Sequence, residues 1–266
     1  MATARSFIGV VLLASYMAGA ANAQEAQEDG TSATAEPTEA AGSVGNGWVF
    51  EGEVYFWGAS IGGTSAEGDD IDIPFSDIID SLNYGLMGGV VARKNKWSLL
   101  ADAIYLDLET TDGTTGNIVG VPIRVEADVE LQGFIGNAGV GYAVLETDDT
   151  KLDVVGGARY LWLETDITFD VGPADAKFSD SGHTIDGIVG LRGRTDLNED
   201  WFLSYYFDVG TGESDYTWQA WGSINYSFER FDLAVGYRYL EWNFDDSDAF
   251  DDLNIHGPLI GAKFRF

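Results

Sequence analysis

Phe231-Asp232-Leu233-Ala234-Val235-Gly236-Tyr237-Arg238-Tyr239 decides the fold. Its odd positions are Phe, Leu, Val, Tyr and Tyr, and its even positions are Asp, Ala, Gly and Arg. A period of two puts successive side chains on opposite faces of a β-strand, so this strand has one apolar face and one wet face. The pattern recurs in Trp201–Val209, where Trp201, Leu203, Tyr205, Phe207 and Val209 oppose Ser204 and Asp208. It recurs again at the C-terminus, where Ile260, Ala262, Phe264 and Phe266 oppose Gly261, Lys263 and Arg265.

Outward from these stretches, ten segments read as strands: 48–58, 84–94, 97–109, 125–146, 151–169, 181–195, 200–210, 216–228, 231–244 and 253–266. Within 125–146 the apolar face changes parity near Gln132-Gly133, which predicts a bulge. Alternation alone suits a soluble sandwich as well as a membrane barrel. Two features separate them. First, the connections alternate in length. Tight polar turns fall at Lys94-Asn95-Lys96, Thr147–Thr150, Asp196–Glu199 and Glu229-Arg230, and longer acidic or Gly/Thr-rich ones near 60–83, 110–124, 171–180, 211–215 and 245–252. Short turns on one side and long loops on the other are the transmembrane barrel arrangement. An even strand number puts both chain ends on the short-turn side; eight or twelve strands are the alternatives to ten.

Second, the wet face carries both signs of charge. If the apolar faces meet lipid, the lumen receives Glu51, Glu53, Asp102, Asp153, Asp186, Asp208 and Asp232 together with Arg93, Arg159, Arg192, Arg194, Arg238, Lys263 and Arg265. Arg93, Asp153, Arg194, Asp232 and Arg265 sit beside turns and are expected at the rim. Asp102, Arg159, Asp186, Asp208 and Arg238 lie deeper. Charge buried at that depth must be paired. The candidate lumen network is therefore Glu53, Asp102, Arg159, Asp186, Arg192, Asp208, Arg238 and Lys263. Trp48, Trp97, Trp162, Trp201, Trp218 and Trp242 fall near strand ends, as girdle residues do, while Trp57 and Trp221 have lumen parity. The fold class expected is all-β, a transmembrane antiparallel up-and-down barrel of about ten strands.

The N-terminus agrees. Arg5 is the only charge in residues 1–23, an apolar run Phe7–Ala14 follows, and Ala21-Asn22-Ala23 ends the segment. That order predicts a secretory signal peptide, 1–23, cleaved after Ala23. Residues 24–47 contain one valine and no aromatic residue, which predicts a disordered acidic periplasmic leader ahead of a barrel over 48–266. There is no cysteine, and 34 glycines with 13% aromatic residues suit a barrel with a packed interior and aromatic girdles. A net charge of -30 argues against nucleic acid as a partner.

Residues 48–266 resemble the small Gram-negative outer-membrane β-barrel proteins. Signal peptide, alternating strands and the terminal Ala262-Lys263-Phe264-Arg265-Phe266 carry the resemblance. Pro74–Leu82, Ala92-Arg93-Lys94 and Asp102–Leu108 look like a pattern recurring among uncharacterised members. The resemblance implies the cell outer membrane, with its lipids and lipopolysaccharide, as the location. It also implies a barrel-assembly machinery that reads Phe264 and Phe266.

Function is less legible, since a fold does not dictate one. His183, with Ser179, Ser181, Asp180 and Asp186 nearby, is a Ser-His-Asp set on paper only, because such residues are common in polar loops. None of the local signatures of outer-membrane acylases, deacylases or proteases is present, so no enzyme, catalytic residue or cofactor is expected. Asp69, Asp70 and Asp72, and Asp245, Asp246, Asp248, Asp251 and Asp252, form acidic loops for which divalent cations are the candidate ligands, although no EF-hand spacing occurs. Phe75, Ile78, Ile79 and Leu82 follow helical spacing behind Pro74, with Ser76 as a candidate N-cap. The leading expectation is a narrow charged lumen serving as a small pore or passive channel for ions or small solutes. The alternative is a structural or surface-interaction barrel with a closed lumen, and an outer-membrane enzyme acting on lipid A or peptides ranks below both. Ten strands enclose little more space than side chains can fill.

Overall fold

The computed structural model describes residues 47–66, 68–118, 121–171, 174–244 and 250–266. The expected signal peptide, the expected leader up to residue 46, and Asp245, Asp246 and Asp248 lie outside the described residues. Twelve strands form one antiparallel sheet. The wall consists of β1 (Val49–Trp57), β4 (Leu82–Lys94), β5 (Trp97–Ile118), β6 (Val121–Glu146), β7 (Thr150–Val171), β8 (Ala174–Asp196), β9 (Trp201–Gly212), β10 (Tyr216–Ser227), β11 (Asp232–Asn243) and β12 (Phe250–Arg265). Pairing of β1 with β12, from Glu51↔Arg265 to Trp57↔Leu259, closes these ten into a barrel. The other two strands, β2 (Ser60–Ser65) and β3 (Asp70–Ile73), form a hairpin that extends the sheet along β12 at the long-connection end. That hairpin falls within a stretch, 60–83, expected to be loop. The helix α1 (Phe75–Asp80) follows it. Pro74 holds the N-cap position without a side-chain bond, and Ser76 bonds Asp77 instead of capping.

The expected parity holds around the wall. Val54, Val90, Leu99, Val140, Val189, Phe207, Ile224, Val235 and Ile260 are exposed outward, where hydrocarbon would meet them. Two bands of paired rings bound this belt. At the short-turn end Trp97 packs on Tyr142, Trp201 on Tyr226, and Phe228 on Phe231 beside Phe264. At the other end Tyr84 packs on Tyr105, Phe134 on Tyr160, and Trp218 on Tyr239, which stacks on His256. Trp201 to Val209 is about eight residue steps, roughly 20 Å of height for strands tilted about 40°, in keeping with an apolar band ~25 Å tall. Above the upper band the outward face turns polar at Gln132, Glu164, Glu241 and Asn254.

Two expectations about the wall need correction. β5 to β8 run far past the upper band: Ile118 pairs with Val121 and Val171 with Ala174, so 110–124 and 171–180 are mostly paired hairpin. Thr110–Asn117 and Val171–Asp175 are rich in Gly, Thr, Asp and Pro, a composition that reads as loop. The ladder is also continuous through Gln132-Gly133, and the irregularity of β6 lies between Ala143 and Leu145. The change of parity at Gln132-Gly133 has another cause. Ile135 points inward and is buried, because the upper lumen is itself apolar.

A candidate functional site inside the barrel

At mid-depth six inward side chains close a ring of hydrogen bonds. Arg238 on β11 donates from Nη2 to Asp102 Oδ1 at 3.0 Å and from Nε to Gln219 Oε1 at 2.7 Å. Gln219 donates to Asp208 Oδ2 at 3.4 Å. Asp208 accepts both oxygens' bonds from Arg159 Nη2, at 2.8 and 2.6 Å. Arg159 Nε donates to Asn137 Oδ1 at 3.0 Å, and Asn137 Nδ2 donates to Asp102 at 3.3 Å, completing the circuit. Tyr55 joins it, accepting from Arg238 Nη1 at 2.9 Å and donating to Asp102 Oδ2 at 2.6 Å. Thr217 accepts from Arg159 Nη1 at 2.8 Å and donates to the Glu241 carbonyl at 2.7 Å. The ring therefore ties together β1, β5, β6, β7, β9, β10 and β11. Arg159, Asp208 and Thr217 are fully buried, so breaking the Arg159–Asp208 pair leaves an uncompensated buried charge.

Two tryptophans form the ceiling of this layer. Trp57 stands over the Arg238 guanidinium at 5.1 Å and Trp242 over that of Arg159 at 5.9 Å. Above them Met87, Ile104, Ile135, Leu161, Leu240, Leu253 and Ile255 pack into one apolar cluster with both indoles. Trp242, expected in a girdle, is therefore wholly inside. Its position near a strand end is correct, but on β11 the inward positions are the even ones. Its indole N–H finds no acceptor among the described residues, whereas that of Trp57 donates to the Gly257 carbonyl at 3.2 Å.

Below the ring lies a cavity of about 100 Å³, lined by Glu53, Leu100, Val155, Ile188, Trp221 and Lys263 among others. Lys263 approaches Glu53 at 3.8 Å and donates to Ser204 at 3.3 Å, and Arg192 lies 4.0 Å from Glu51. At the short-turn rim Arg93 holds Asp153 through two bonds, at 3.2 and 2.6 Å, and Arg265 holds Asp232.

Of the eight side chains placed in the network by sequence, Asp102, Arg159, Asp208 and Arg238 meet at mid-depth, and Glu53, Arg192 and Lys263 lie one level lower. Asp186 joins neither group. It stands opposite Arg159 in the β7–β8 ladder, yet its Oδ1 accepts from the Ser214 amide at 3.0 Å and its Oδ2 has no partner among the described residues. Tyr55, Asn137, Thr217 and Gln219 were not anticipated. Their only signal is a polar side chain on inward parity near mid-strand.

The other candidates do not assemble into sites. His183 is exposed on the outer wall beside Tyr160, while Asp186 is inside, and Ser179 bonds Asp166. His256 bonds Tyr237 at 2.8 Å. Asp69, Asp70 and Asp72 are solvent-exposed, and among the described residues no cluster of three or more His, Cys, Asp or Glu is arranged to hold a metal. Phe264 and Phe266 are exposed at the short-turn end, where Phe266 and Phe50 exchange backbone bonds of 2.9 and 3.4 Å.

No family model matches the chain, and no curated protein matches it. Solved structures do. The outer membrane protease OmpT from Escherichia coli matches with a TM-score of 0.50 at 9% identity, over 85% of this chain and 99% of that one. The translocator domain of the autotransporter NalP from Neisseria meningitidis matches at 0.42 and 15%, over 84% and 89%. Ail, the attachment invasion locus protein of Yersinia pestis, matches at 0.35 and 11%, over 83% and 99%. At such identities the likeness is one of fold. Closed ten-stranded wall, apolar outer belt and paired girdles give this chain the fold of the Gram-negative outer-membrane β-barrels.

Proposed function

We propose that the protein is an exported, non-catalytic outer-membrane barrel with a closed lumen, and that its working surface is the pair of long hairpins it raises beyond the upper girdle. One observation carries this reading: a complete ring of buried ion pairs lies directly beneath an apolar plug. An ion crossing that stack would have to break Arg–carboxylate pairs and then enter a dry layer. Each step costs several kcal/mol.

The hairpins β5–β6 and β7–β8 suit a surface role. From Asp107 to Ile118 the paired strand is roughly 35 Å long at about 3.3 Å per residue. Glu109, Asp128, Glu130, Glu164, Asp166 and Asp180 make these strands acidic, so cationic ligands, or divalent ions bridging to lipopolysaccharide phosphates, fit them. Cleavage after Ala23 and delivery by an assembly machinery that reads Phe264 and Phe266 belong to the same reading.

The cavity beneath the ring favours a second reading, a pore that opens when the plug moves. Swelling of proteoliposomes in isotonic arabinose or glycine separates the two. The closed reading expects rates equal to empty vesicles. Swelling by the unmodified protein would establish the pore.

A further inference from the structure

The wall has one seam. β1 and β4 pair from Val49↔Arg93 to Val54↔Gly88 and no further. Above that level β1 follows β12, with Gly58 donating to the Pro258 carbonyl at 2.8 Å, while β4 stays with β5 up to Leu82. The two strands diverge, and the Trp57 amide, facing the gap, is donated to the thioether of Met87 at 3.2 Å, a weak acceptor. Unpaired strand edges are not tolerated where lipid reaches them, so something must cover the gap. What covers it is α1. This helix has six residues, no side-chain cap and one buried side chain, Ile78.

Beneath α1 the seam holds a small apolar cavity of about 80 Å³, lined by Phe56, Trp57, Phe75, Ile78, Met87 and Leu106 among others. Its position identifies the occupant. Phe56 and Leu86 are exposed on the outward belt, and Tyr84 and Tyr105 place the mouth at the upper girdle. The lining is thus continuous with the surface that hydrocarbon covers. The inner end abuts the plug at Trp57 and Met87, and Tyr55 separates it from the arginine and aspartate of the ring. The mouth thus opens at the girdle, where the acyl chains of one leaflet begin.

We propose that this seam is a lateral binding site for one acyl chain of a membrane lipid, with α1 as its lid. The site is independent of whether the lumen conducts. The test uses the refolded full barrel in phosphatidylcholine vesicles doped with a phospholipid carrying a diazirine on its acyl chain. Adducts are mapped by mass spectrometry after illumination. The proposal expects adducts concentrated on α1 and on β4 around Met87, several-fold over the belt residues Leu233, Val235 and Ile260. Gly85→Phe, which grows a ring toward Leu82 and Leu106, should abolish the enrichment, and Val235→Phe on the open belt should leave it unchanged. If Gly85→Phe does not give the heat-modifiable band of a folded barrel, Ile79→Trp at the mouth serves in its place. Adducts spread evenly over the belt, or enrichment that survives the filled seam, would overturn the proposal. Labelling of the seam by a diazirine fatty acid but not by the phospholipid would overturn the lipid as the source.

Discussion

Two adjacent layers of one lumen are built on opposite principles. The mid-depth ring is almost entirely polar, and its stability rests on every charge having a partner: two arginines, two aspartates and the amides of Asn137 and Gln219 satisfy one another. The layer above it carries no charge and relies on packing. Trp57 and Trp242 join the two, each presenting a ring face to a guanidinium and its edges to the aliphatic cluster. Side chains can therefore close a ten-stranded barrel in two ways within one molecule. The two layers fail differently: the charged one through a buried unpaired ion, the apolar one through a void.

The largest effect should come from breaking the charged layer. Arg159→Ala strands Asp208 in the dry lumen and removes the cation beneath Trp242, so unfolding in denaturant should show a loss of about 3–5 kcal/mol. Replacing Arg159 and Asp208 together with Met and Leu should recover most of that, since it is the orphaned charge that costs. In the apolar layer Leu240→Ala leaves a cavity and should lose about 2–4 kcal/mol by the same measurement. No second substitution of a single partner should rescue it.

Asp186→Asn sharpens the comparison, because Asp186 is a buried carboxylate outside the ring. The amide keeps an acceptor for Ser214 and removes a charge that has no cationic partner among the described residues. Stability should be unchanged or slightly higher, whereas Asp208→Asn should be clearly destabilising. The smallest effect is expected at Lys151–Glu146, an exposed pair at 3.5 Å beside a short turn. There Lys151→Ala should change the unfolding free energy by less than about 1 kcal/mol.

The same contrast explains what could be read from the chain. Where the lumen is polar, inward and outward residues differ in kind, and Asp232, Arg238, Asp208 and Lys263 gave away the strand, its facing and its depth. Where the lumen is apolar, both faces look alike. Ile135 then mimics a shift of register, and Trp242 passes for a girdle residue. The long hairpins fail for another reason, since their Gly-, Thr- and Asp-rich ends, such as Thr110–Asn117, read as loops. Partner choice was out of reach for a different reason. Arg159 stands opposite Asp186 in the ladder but bonds Asp208 from β9, a decision made across the lumen by space and shape. The seam between β1 and β4 depends on pairing that stops at Gly88, which no local pattern announces.

Closure of the barrel by these two layers is what the proposed function rests on. Its most direct test is single-channel recording in planar bilayers of the wild-type protein beside the double variant Leu240→Ala/Trp242→Ala and the single variant Arg159→Ala. The account predicts a silent wild type, with discrete openings only where a layer has been breached. Steady wild-type conductance whose size or ion preference shifts in Arg159→Ala would contradict it and establish the charged ring as the lining of an open path.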